Sequence, residues 1–355
     1  MRRLSRCVGL PAALALAGMA VTGCGGGAEA EGKPGRKASS SSAPAASPAS
    51  PSPGPVTEKP APPAKMLPGA ARTVRPEMAP ANGEKVGVGQ PIALVFKQQK
   101  VSKELRAGIE GRLKVSTSPK VAGAWHWNET KGDTRVHFRP EKYWPAGTKV
   151  TLDAGLAGVQ LAEGTAAAGD RTVSFTVGDS MVSTVDLKAR KLTVVRNGKT
   201  LRTIPVSGGD ESKGFGTREG IKTILAKEGR VVMDSLSIGI PRNHPDGFYG
   251  SYDFSMRETV SGEYVHAAPD NAESFGKENV SHGCIGMSTE DAKWLYGLSL
   301  KGDVVQVTGS TKPKPMDRFG NGYGDWNIDW QEWLEGSALG IRTGVGAGAG
   351  VGAGA

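Results

Sequence analysis

The segments VHAAP (residues 265–269) and SHGCIGMS (residues 281–288) decide how this chain is interpreted. A thiol nucleophile needs a base that takes its proton, and His266 supplies one to Cys284 when a fold brings the two segments together. The attack also needs N–H donors for the developing oxyanion, and glycine at 283 allows the N–H groups of Gly283 and Cys284 to approach it. A backbone carbonyl is enough to fix the tautomer of His266. We therefore expect Cys284 as the nucleophile and His266 as the proton donor and acceptor.

Three other roles for the thiol stay open at this point. His266, His282 and Cys284 together offer three zinc ligands, but no second cysteine or acidic cluster lies nearby in the sequence, so we expect no metal. A buried, inert cysteine is the second alternative. A redox sensor is the third, and it lacks a second cysteine with which to form a disulfide.

The N-terminus has the pattern of an export signal. Three arginines within the first six residues precede an apolar stretch over residues 8–20, which is too short to span a bilayer stably. That stretch runs into VTGC (residues 21–24), which is similar to a bacterial lipobox. In proteins with this motif the leader is cut before the cysteine, whose thiol carries a diacylglyceryl group. We therefore expect a signal peptide over residues 1–23 and a lipid on Cys24 that anchors the chain to the cell membrane, on its extracytoplasmic face.

The cysteine count supports a use for Cys284. The chain has three cysteines, of which Cys7 leaves with the leader and Cys24 is used by the lipid. Cys284 is then the one free thiol of the mature chain, and no disulfide within the chain is expected. A lone thiol in an oxidising compartment is a liability unless it is buried or used.

Low-complexity sequence flanks the part that is expected to fold. Residues 24–71 are rich in proline, alanine and serine and contain no aromatic residue, and residues 341–355 are mostly glycine and alanine. Neither stretch buries enough apolar area to offset the entropy of ordering it. We expect a disordered tether after the anchor and a disordered tail.

The net charge of +9 does not indicate nucleic-acid binding. The basic excess lies in the leader, the low-complexity stretch and the first folded region, whereas residues 182–340 are slightly acidic. A nucleic-acid enzyme concentrates its basic residues around its site. No apolar run of 18 residues follows the first 24 residues, so a polytopic membrane protein is also excluded.

Residues 72–180 are expected to form an immunoglobulin-like β-sandwich. Runs such as IALVF (residues 92–96) and RVHF (residues 135–138) are typical of strands, and turn signals separate them. His126 and His137 lie in these strands without an acid or a thiol nearby in the sequence. We therefore interpret both histidines as structural.

Residues 181–310 are also rich in predicted strands, and they contain the two segments quoted above. Asn197-Gly198, between two strand-like runs, predicts a hairpin with a type I′ turn. One helix is predicted after Ser288, which is placed to cap it. In a C-terminal subdomain, residues 311–340, three tryptophans spaced i, i+4 and i+7 predict one short helix with an aromatic face: Trp326, Trp330 and Trp333.

The pattern of His266, fourteen intervening residues and Ser281-His282-Gly283-Cys284 resembles the signature of the L,D-transpeptidase family, which has a YkuD-like catalytic domain. The resemblance covers about residues 72–335 and is strongest to the lipid-anchored, Ig-containing enzymes of actinobacteria. It implies a mainly β fold, with an N-terminal Ig-like sandwich followed by a β-rich catalytic domain that has one main helix.

The resemblance implies a particular reaction. Cys284 would attack the carbonyl of the third residue of a peptidoglycan tetrapeptide stem and expel D-alanine, with His266 taking the thiol proton. The side-chain amine of a second stem would then attack the thioester and form a 3→3 cross-link. Donor and acceptor stem peptides are thus the expected partners, β-lactams of the carbapenem type are expected covalent inhibitors, and no cofactor is expected.

The resemblance also implies positions that contact the substrate. His282 would support the oxyanion turn beside the nucleophile, and residues 238–255 match the family's active-site flap. The expected substrate-binding positions are Met233, Phe248, Ser261, Gly262, Ala267, Ser281 and Gly286.

Three of these positions depart from the family pattern. Gly286 stands where relatives usually have Asn, Ala267 where they often have Ser, and Phe248 where they have a pocket Tyr. Ala267 is harmless if only its backbone carbonyl orients His266. The departures bear on substrate recognition rather than on the thiol mechanism.

Two functions of other classes remain as alternatives. A thiol hydrolase or carboxypeptidase would use the same pair of residues with water as the acceptor. A non-catalytic wall-binding lipoprotein would keep the Ig-like domain and tolerate the loss of Cys284. A sortase is disfavoured, because no arginine follows the cysteine in the strand pattern that its chemistry uses.

Overall fold

The computed structural model describes residues 60–340, together with the backbone of residues 56–57 and 342–343. The predicted signal peptide, the lipid site at Cys24, most of the tether and nearly all of the tail lie outside the described residues. Within the part that is described, no helix is long and apolar enough to cross a membrane.

The region before residue 180 is built mostly from short strands. Its elements are β1 (Val56–Thr57), β2 (Arg72–Val74), β3 (Glu77–Ala79), β4 (Lys85–Val86), β5 (Ile92–Phe96), α1 (Lys103–Glu110), β6 (Leu113–Ser118), β7 (Gly123–Thr130), β8 (Asp133–Pro140), β9 (Lys149–Ala154), β10 (Gln160–Ala162), β11 (Thr165–Ala167) and β12 (Arg171–Val177). Strands β3, β5, β8 and β7 form one antiparallel sheet in that order, and β4, β12, β9 and β6 form a second. Only the β4–β12 pair of the second sheet is parallel.

The two sheets share one apolar core and therefore form a sandwich, as the sequence predicts. Residues from both sheets lie in a single cluster of buried side chains, because each strand points alternate residues inward. Its aromatic members are Phe96, Trp125, Trp127, Phe138, Trp144 and Phe175. Strands β10, β11 and β2 form a third, smaller sheet in that order.

The helix α1 was not predicted from the sequence. Its apolar face consists of little more than Leu105 and Ile109, and Ser102 precedes it without making a side-chain capping hydrogen bond. Ile109 is fully buried in the sandwich core. A helix of eight residues with two apolar positions gives too weak a periodic signal to be told from a loop.

The region after residue 180 contains two sheets and one principal helix. Its elements are β13 (Met181–Asp186), β14 (Lys191–Arg196), β15 (Lys199–Pro205), β16 (Arg218–Thr223), β17 (Ala226–Asp234), β18 (Tyr249–Arg257), β19 (Tyr264–Ala267), β20 (Ile285–Met287), α2 (Thr289–Leu298), β21 (Val304–Thr308), β22 (Lys314–Pro315), α3 (Trp330–Glu335) and β23 (Arg342–Thr343), with short 3₁₀ turns at Glu211–Lys213, Ser235–Ile238, Pro269–Ser274 and Asp325–Asn327. The larger sheet has the order β15–β14–β13–β21–β16–β22, and the smaller has the order β17–β18–β19–β20.

Local sequence signals in this region are confirmed. Asn197 and Gly198 both have positive φ, at 50° and 78°, as a type I′ turn between β14 and β15 requires. The hydroxyl oxygen of Ser288 accepts the Asp291 N–H at 3.1 Å and caps α2. Ala292 and Leu295 bury the apolar face of that helix in the hydrophobic core of this region.

The C-terminal segment, residues 311–340, folds back onto the sandwich. The prediction that its three tryptophans share one helix is wrong, because Trp326 lies in a 3₁₀ turn and α3 begins only at Trp330. Ile328 at the end of that turn is extended, with φ −102° and ψ 126°, which interrupts the helix. Trp333 is fully buried, and its indole N–H donates to the carbonyl of Ala124 in β7.

His126 and His137 both attach this segment to the sandwich. His126 Nδ1 donates to the carbonyl of Trp333 at 2.9 Å, and the two rings stack with centroids 4.6 Å apart. His137 Nδ1 lies 2.7 Å from the Asp325 carboxylate. Each histidine and its partner are more than 180 residues apart in sequence. Both contacts therefore give the histidines structural roles.

The sandwich and the region after residue 180 meet at a tight backbone contact. Gly87 N–H donates to the carbonyl of Lys301 at 2.7 Å, and a Cβ on Gly87 would lie 2.2 Å from the Asp303 nitrogen. Only glycine fits such an approach. Asp303 is 2 % exposed, and its Oδ1 has no hydrogen-bond partner among the described residues. Burial therefore raises the pKa of Asp303 to about 7.

Asp303 should make the stability of the fold depend on pH. The folded state holds the Asp303 proton up to about pH 7, whereas the unfolded chain loses it near the ordinary pKa of 3.8. The free energy of unfolding therefore falls as the pH rises from about 4 to 7, by up to about 1.4 kcal/mol per pH unit. Asp303→Asn has no such proton to lose. We expect urea unfolding to show this variant more stable than the wild type at neutral pH, with the difference shrinking towards pH 4.

The exposed Asp270→Asn variant is the matched control, and its stability should follow that of the wild type at every pH. An Asp303→Asn protein no more stable than the wild type at neutral pH would show that the Asp303 carboxyl is ionised in the fold without cost.

Candidate active site

Two adjacent strands bring the predicted residues together. Strands β19 and β20 are parallel neighbours, with His266 opposite Gly286, and Cys284 directly precedes β20. His266 and Cys284 line one cavity of about 230 Å³. The same cavity is lined by Met233, Phe248, Tyr252, Asn271, Val280, Ser281 and His282.

The turn before the cysteine is closed by Ser281. The Ser281 hydroxyl accepts the Gly283 N–H at 3.1 Å and donates to the Cys284 carbonyl at 2.6 Å. Gly283 has φ +124°, a conformation that side chains other than glycine rarely adopt. The Gly283 N–H is therefore engaged within the turn, whereas the Cys284 N–H makes no hydrogen bond to another described residue. Of the two expected oxyanion donors, Cys284 is the one left available here.

Cys284 rests as a neutral thiol. Its side chain is half-buried, and Sγ donates to the carbonyl of Gly262 over 3.7 Å. Burial raises the pKa of Cys284 to about 12, and the nearby carboxylates of Glu263 and Glu258 act in the same direction. Because a thiolate is the reacting species, a base must remove the proton during the reaction.

His266 has the properties of that base. Its Nδ1 donates to the carbonyl of Ala267 at 2.8 Å, which leaves Nε2 as the unprotonated nitrogen. Burial lowers the pKa of His266, so the imidazole is neutral near pH 7. Tyr252 packs edge-on against the ring, with centroids 4.8 Å apart. Since the orienting group is a backbone carbonyl, the alanine at position 267 loses nothing in this contact.

His282 occupies an aromatic niche beside the nucleophile. Its ring lies 4.3 Å from that of Phe215 and 4.6 Å from that of Phe248, centroid to centroid. Burial lowers the pKa of His282, against the opposing effect of the Asp246 backbone carbonyl. These contacts fix the neutral ring next to the turn. Phe215 was not identified from the sequence, because it lies far from the motif along the chain.

The expected substrate-binding positions separate into two groups. Met233, Phe248 and Ser281 line the cavity. The others lie outside its lining: Ser261, Gly262, Ala267 and Gly286. Gly262 and Ala267 act through the carbonyls already described, and Gly286 exchanges backbone hydrogen bonds with Ser207.

Gly286 is tightly enclosed. A Cβ at this position would lie 3.0 Å from the Cβ of Ala268, closer than carbon atoms normally approach. A side chain larger than that of glycine at this position would require its neighbours to move. Close packing around residue 286 thus favours the glycine that this chain has there.

A buried charge cluster behind the turn was missed from the sequence. Lys222 has no exposed surface, and its Nζ donates to Glu258 at 3.0 Å and to Glu263 at 2.9 Å. Burial alone would lower the pKa of Lys222, but the two carboxylates outweigh it and raise the pKa. Arg218 adds a second cation, 2.8 Å from Glu263. A lysine inside a strand gives no sequence signal for this role, because most such lysines face solvent.

The charge cluster reaches the nucleophile through two contacts. Glu263 lies beneath the turn, where a Cβ on Gly283 would be 3.4 Å from the Glu263 side chain. The loop from Glu258 to Glu263 also carries Gly262, whose carbonyl accepts a hydrogen bond from the Cys284 thiol. The cluster therefore holds in place the loop residues that contact Gly283 and Cys284. Within residues 60–340, no group of three or more His, Cys, Asp or Glu side chains is arranged to hold a metal ion.

The fold and the site define a thiol enzyme with an Ig-like domain before its catalytic domain, and sequence comparison agrees. Residues 68–160 match the model of a bacterial Ig domain, and residues 180–307 match that of the L,D-transpeptidase catalytic domain. L,D-transpeptidase 2 of Mycobacterium tuberculosis is 35 % identical over 271 residues, which are 76 % of this chain and 63 % of that protein. The chain thus matches slightly less than two thirds of that relative's length.

Other relatives are matched over most of their length. L,D-transpeptidase 1 of M. tuberculosis is 36 % identical over 248 residues, 70 % of this chain and 88 % of that protein. The solved structure of LD transpeptidase LdtMt1 in complex with imipenem superimposes with a TM-score of 0.55 at 35 % identity, covering 66 % of this chain and 99 % of that one. The chain belongs to the L,D-transpeptidase family.

The pKa shifts of Cys284 and His266 predict how the rate of acylation of Cys284 depends on pH. Because the pKa of His266 is lowered, its basic form persists below pH 6.5, and wild-type acylation by a carbapenem should change little from pH 6 to 8. In His266→Ala only hydroxide can ionise the thiol. We expect the rate to fall at least about 10²-fold at pH 7 and to rise about tenfold per pH unit, measured by stopped-flow.

His126→Ala removes a histidine remote from the cavity and should change the acylation rate little. A His266→Ala rate within about threefold of the wild type across this pH range would assign the base to another residue, with His282 next in line.

Proposed function

We propose that this protein is a peptidoglycan L,D-transpeptidase that forms 3→3 cross-links between tetrapeptide stems. The observation that carries the proposal is the placement of Cys284 and His266 in one cavity, with a thiol that needs a base and an imidazole whose free nitrogen is basic. The family to which the chain belongs supports it, as does the relative that binds imipenem.

The first half of the reaction is acylation. Nε2 of His266 takes the Cys284 proton as Sγ attacks the carbonyl carbon of the third stem residue. The Cys284 N–H is the free donor for the oxyanion of the tetrahedral intermediate. When this intermediate collapses, the proton on His266 passes to the leaving amine, D-alanine departs, and a thioester remains.

The second half reverses the proton transfers with a different amine. The side-chain amine of a second stem attacks the thioester carbonyl and gives its proton to His266. Collapse of the new intermediate breaks the carbon–sulfur bond, forms the amide cross-link and returns the proton to Cys284. Met233 and Phe248 supply apolar walls of the cavity in which both stems have to meet.

Incubation of the full chain with purified disaccharide-tetrapeptides tests this function. Mass spectrometry should show dimers lighter than two monomers by one alanine, and none with Cys284→Ser. Imipenem should add once to the wild type by intact mass and not to Cys284→Ser. Ser212→Ala, exposed and away from the cavity lining, is the control and should behave as the wild type.

Tripeptide products without dimers would instead assign the protein as a thiol L,D-carboxypeptidase, with water as the acceptor. Unchanged activity in Cys284→Ser would leave the wall-binding alternative as the better description.

We also propose that the enzyme works at the outer face of the cell membrane, held by a lipid on Cys24. The support is the sequence alone: an arginine-rich start, a short apolar stretch and VTGC at residues 21–24. Two or three acyl chains anchor a protein firmly, at about 0.8 kcal/mol per buried CH₂. The following tether then allows the catalytic domain to reach stems above the membrane.

Cys24→Ala should move the protein from the membrane to the soluble fraction on cell fractionation, because the lipid has no other thiol at the leader boundary. Cys284→Ala is the matched control and should stay with the membrane. Quantitative membrane recovery of Cys24→Ala would exclude the proposed anchor.

A further inference from the structure

One of the two N–H donors that the sequence predicts for an oxyanion is already engaged. The Gly283 N–H donates to the Ser281 hydroxyl at 3.1 Å within the turn, which leaves the Cys284 N–H as the available backbone donor. Negative charge develops on the carbonyl oxygen as the thiol attacks, and enzymes stabilise it with preorganised donors aimed at that oxygen. A second donor is therefore expected from the walls of the same cavity.

Several polar side chains on those walls already use their protons. The Ser281 hydroxyl donates to the Cys284 carbonyl, and Nδ1 of His266 donates to the Ala267 carbonyl. The proton of His282 is stabilised by a backbone carbonyl of the flap. In the resting site these three side chains have no further proton to give to a substrate oxygen.

Two side-chain donors on the cavity walls remain, the amide of Asn271 and the hydroxyl of Tyr252. Asn271 is exposed to solvent, whereas Tyr252 is half-buried and packs edge-on against His266, with ring centroids 4.8 Å apart. The Tyr252 hydroxyl makes no hydrogen bond to another residue that the structure describes. Because a donor acts more strongly where water is excluded, Tyr252 is the better placed of the two.

The Tyr252 phenol stays protonated at neutral pH and so remains a donor. Burial raises its pKa above the ordinary value of 10.0, and negative charge on Cys284 or Asp270 acts in the same direction. The effect of Cys284 also places the phenol within electrostatic range of the nucleophile. A neutral phenol can therefore donate to an oxygen that becomes negative beside Cys284.

A distortion of strand β18 sets the direction of Tyr252. Tyr252 pairs with Val231 and Ser255 pairs with Gly229, so β18 takes three steps where β17 takes two. The extra residue forms a β-bulge, in which Phe254 has φ +55°, a conformation that aromatic residues seldom adopt. An inserted residue changes which side chains beyond it face a given side, and bulges of this kind direct side chains beside active sites. Strain retained at such a place indicates a functional role for the residue that it positions.

Local contacts hold the bulge in this shape. The buried Ser255 hydroxyl donates to the Tyr252 carbonyl at 3.0 Å and closes the bulge. Phe254 packs against Tyr296 of α2, with ring centroids 5.9 Å apart. These contacts fix the backbone of Tyr252 before any substrate arrives, as a preorganised donor requires.

We propose that Tyr252 is a catalytic residue whose hydroxyl is the second donor to the oxyanion formed at Cys284. The inference rests on the proposed function, because it takes Cys284 as the nucleophile. As Sγ attacks, the π electrons of the carbonyl move to its oxygen, which accepts hydrogen bonds from the Cys284 N–H and the Tyr252 O–H. Collapse restores the carbonyl and expels the amine, which takes its proton from His266. Tyr252 keeps its own proton throughout.

Tyr252→Phe tests this role, because it removes the hydroxyl and keeps the ring against His266. Stopped-flow acylation of the full chain over a range of imipenem concentrations separates the dissociation constant of the first complex from the rate constant of acylation. We expect the rate constant to fall at least about tenfold. The dissociation constant should stay unchanged, because the oxyanion exists only after attack. The wild-type pH profile from pH 6 to 8 should also be retained, since His266 is still the base.

Tyr296→Phe is the matched control. It removes a phenol hydroxyl from the ring that supports the bulge, outside the lining of the cavity, and should acylate at the wild-type rate. Intact mass separates this inference from the proposed function. A wild-type chain without an imipenem adduct contradicts both of them, whereas a single adduct that forms equally fast in the wild type and in Tyr252→Phe contradicts this inference alone.

Three further results would overturn the inference, each by giving Tyr252 a different role. A raised dissociation constant at an unchanged rate constant would make Tyr252 a binding residue. A pH profile shifted in Tyr252→Phe would show that the phenol acts through His266, as a positioning residue. Slow acylation in Asn271→Ala, with a wild-type rate in Tyr252→Phe, would assign the second donor to the Asn271 amide.

Discussion

A lysine without any exposed surface determines the geometry of the candidate active site. Lys222 lies on β16 of the larger sheet, whereas Glu258 and Glu263 border the loop that leads into β19 of the smaller one. Its two ion pairs therefore join the sheets behind the nucleophile. Removing one member of a buried pair leaves a charge uncompensated, which typically costs about 3–5 kcal/mol. Apolar burial does not hold the tip of the 258–263 loop, because Val260 is exposed there.

The same cluster influences the state of the thiol. The carboxylates of Glu263 and Glu258 raise the pKa of Cys284 beyond the effect of burial, and Lys222 only partly offsets them. Burial and these carboxylates thus disfavour the thiolate and raise the pKa of Cys284, whereas the backbone N–H of Tyr264 acts in the opposite direction. A neutral thiol reacts slowly with oxidants and alkylating agents. For the nucleophile and the extracytoplasmic location that we propose, a raised thiol pKa would protect Cys284 from oxidation until His266, the proposed base, ionises it.

The sequence was informative where short-range chemistry decides the structure. Asn197-Gly198 specified its turn and Ser288 its helix cap, because both depend on a few neighbouring residues. That Cys284 and His266 would line one cavity was predictable for a related reason, since few residue types perform the expected chemistry. Helix α1 was missed for lack of apolar periodicity, and Trp326 was placed in the wrong helix because its spacing from Trp330 fits a helix that an extended residue interrupts.

The charge cluster could not be predicted from the sequence, for a different reason. Lys222, Glu258 and Glu263 look like ordinary solvent-facing side chains until a fold removes water from them. Their burial depends on contacts between strands that are tens of residues apart, and no local pattern encodes such a contact. The contacts of Phe215 with His282 and of Tyr252 with His266 could not be predicted for the same reason.

The C-terminal segment connects the sandwich to the site. At one end, the Asn321 side chain accepts the Ser261 N–H at 2.7 Å and so holds the loop whose next residue, Gly262, contacts the thiol. At the other end, Asp325 pairs with His137 of the sandwich, and Trp333 is buried against β7. The segment is thus bonded both to the sandwich and to the loop beside Cys284. In this arrangement the Ig-like domain is bonded, through that segment, into the scaffold around the active site.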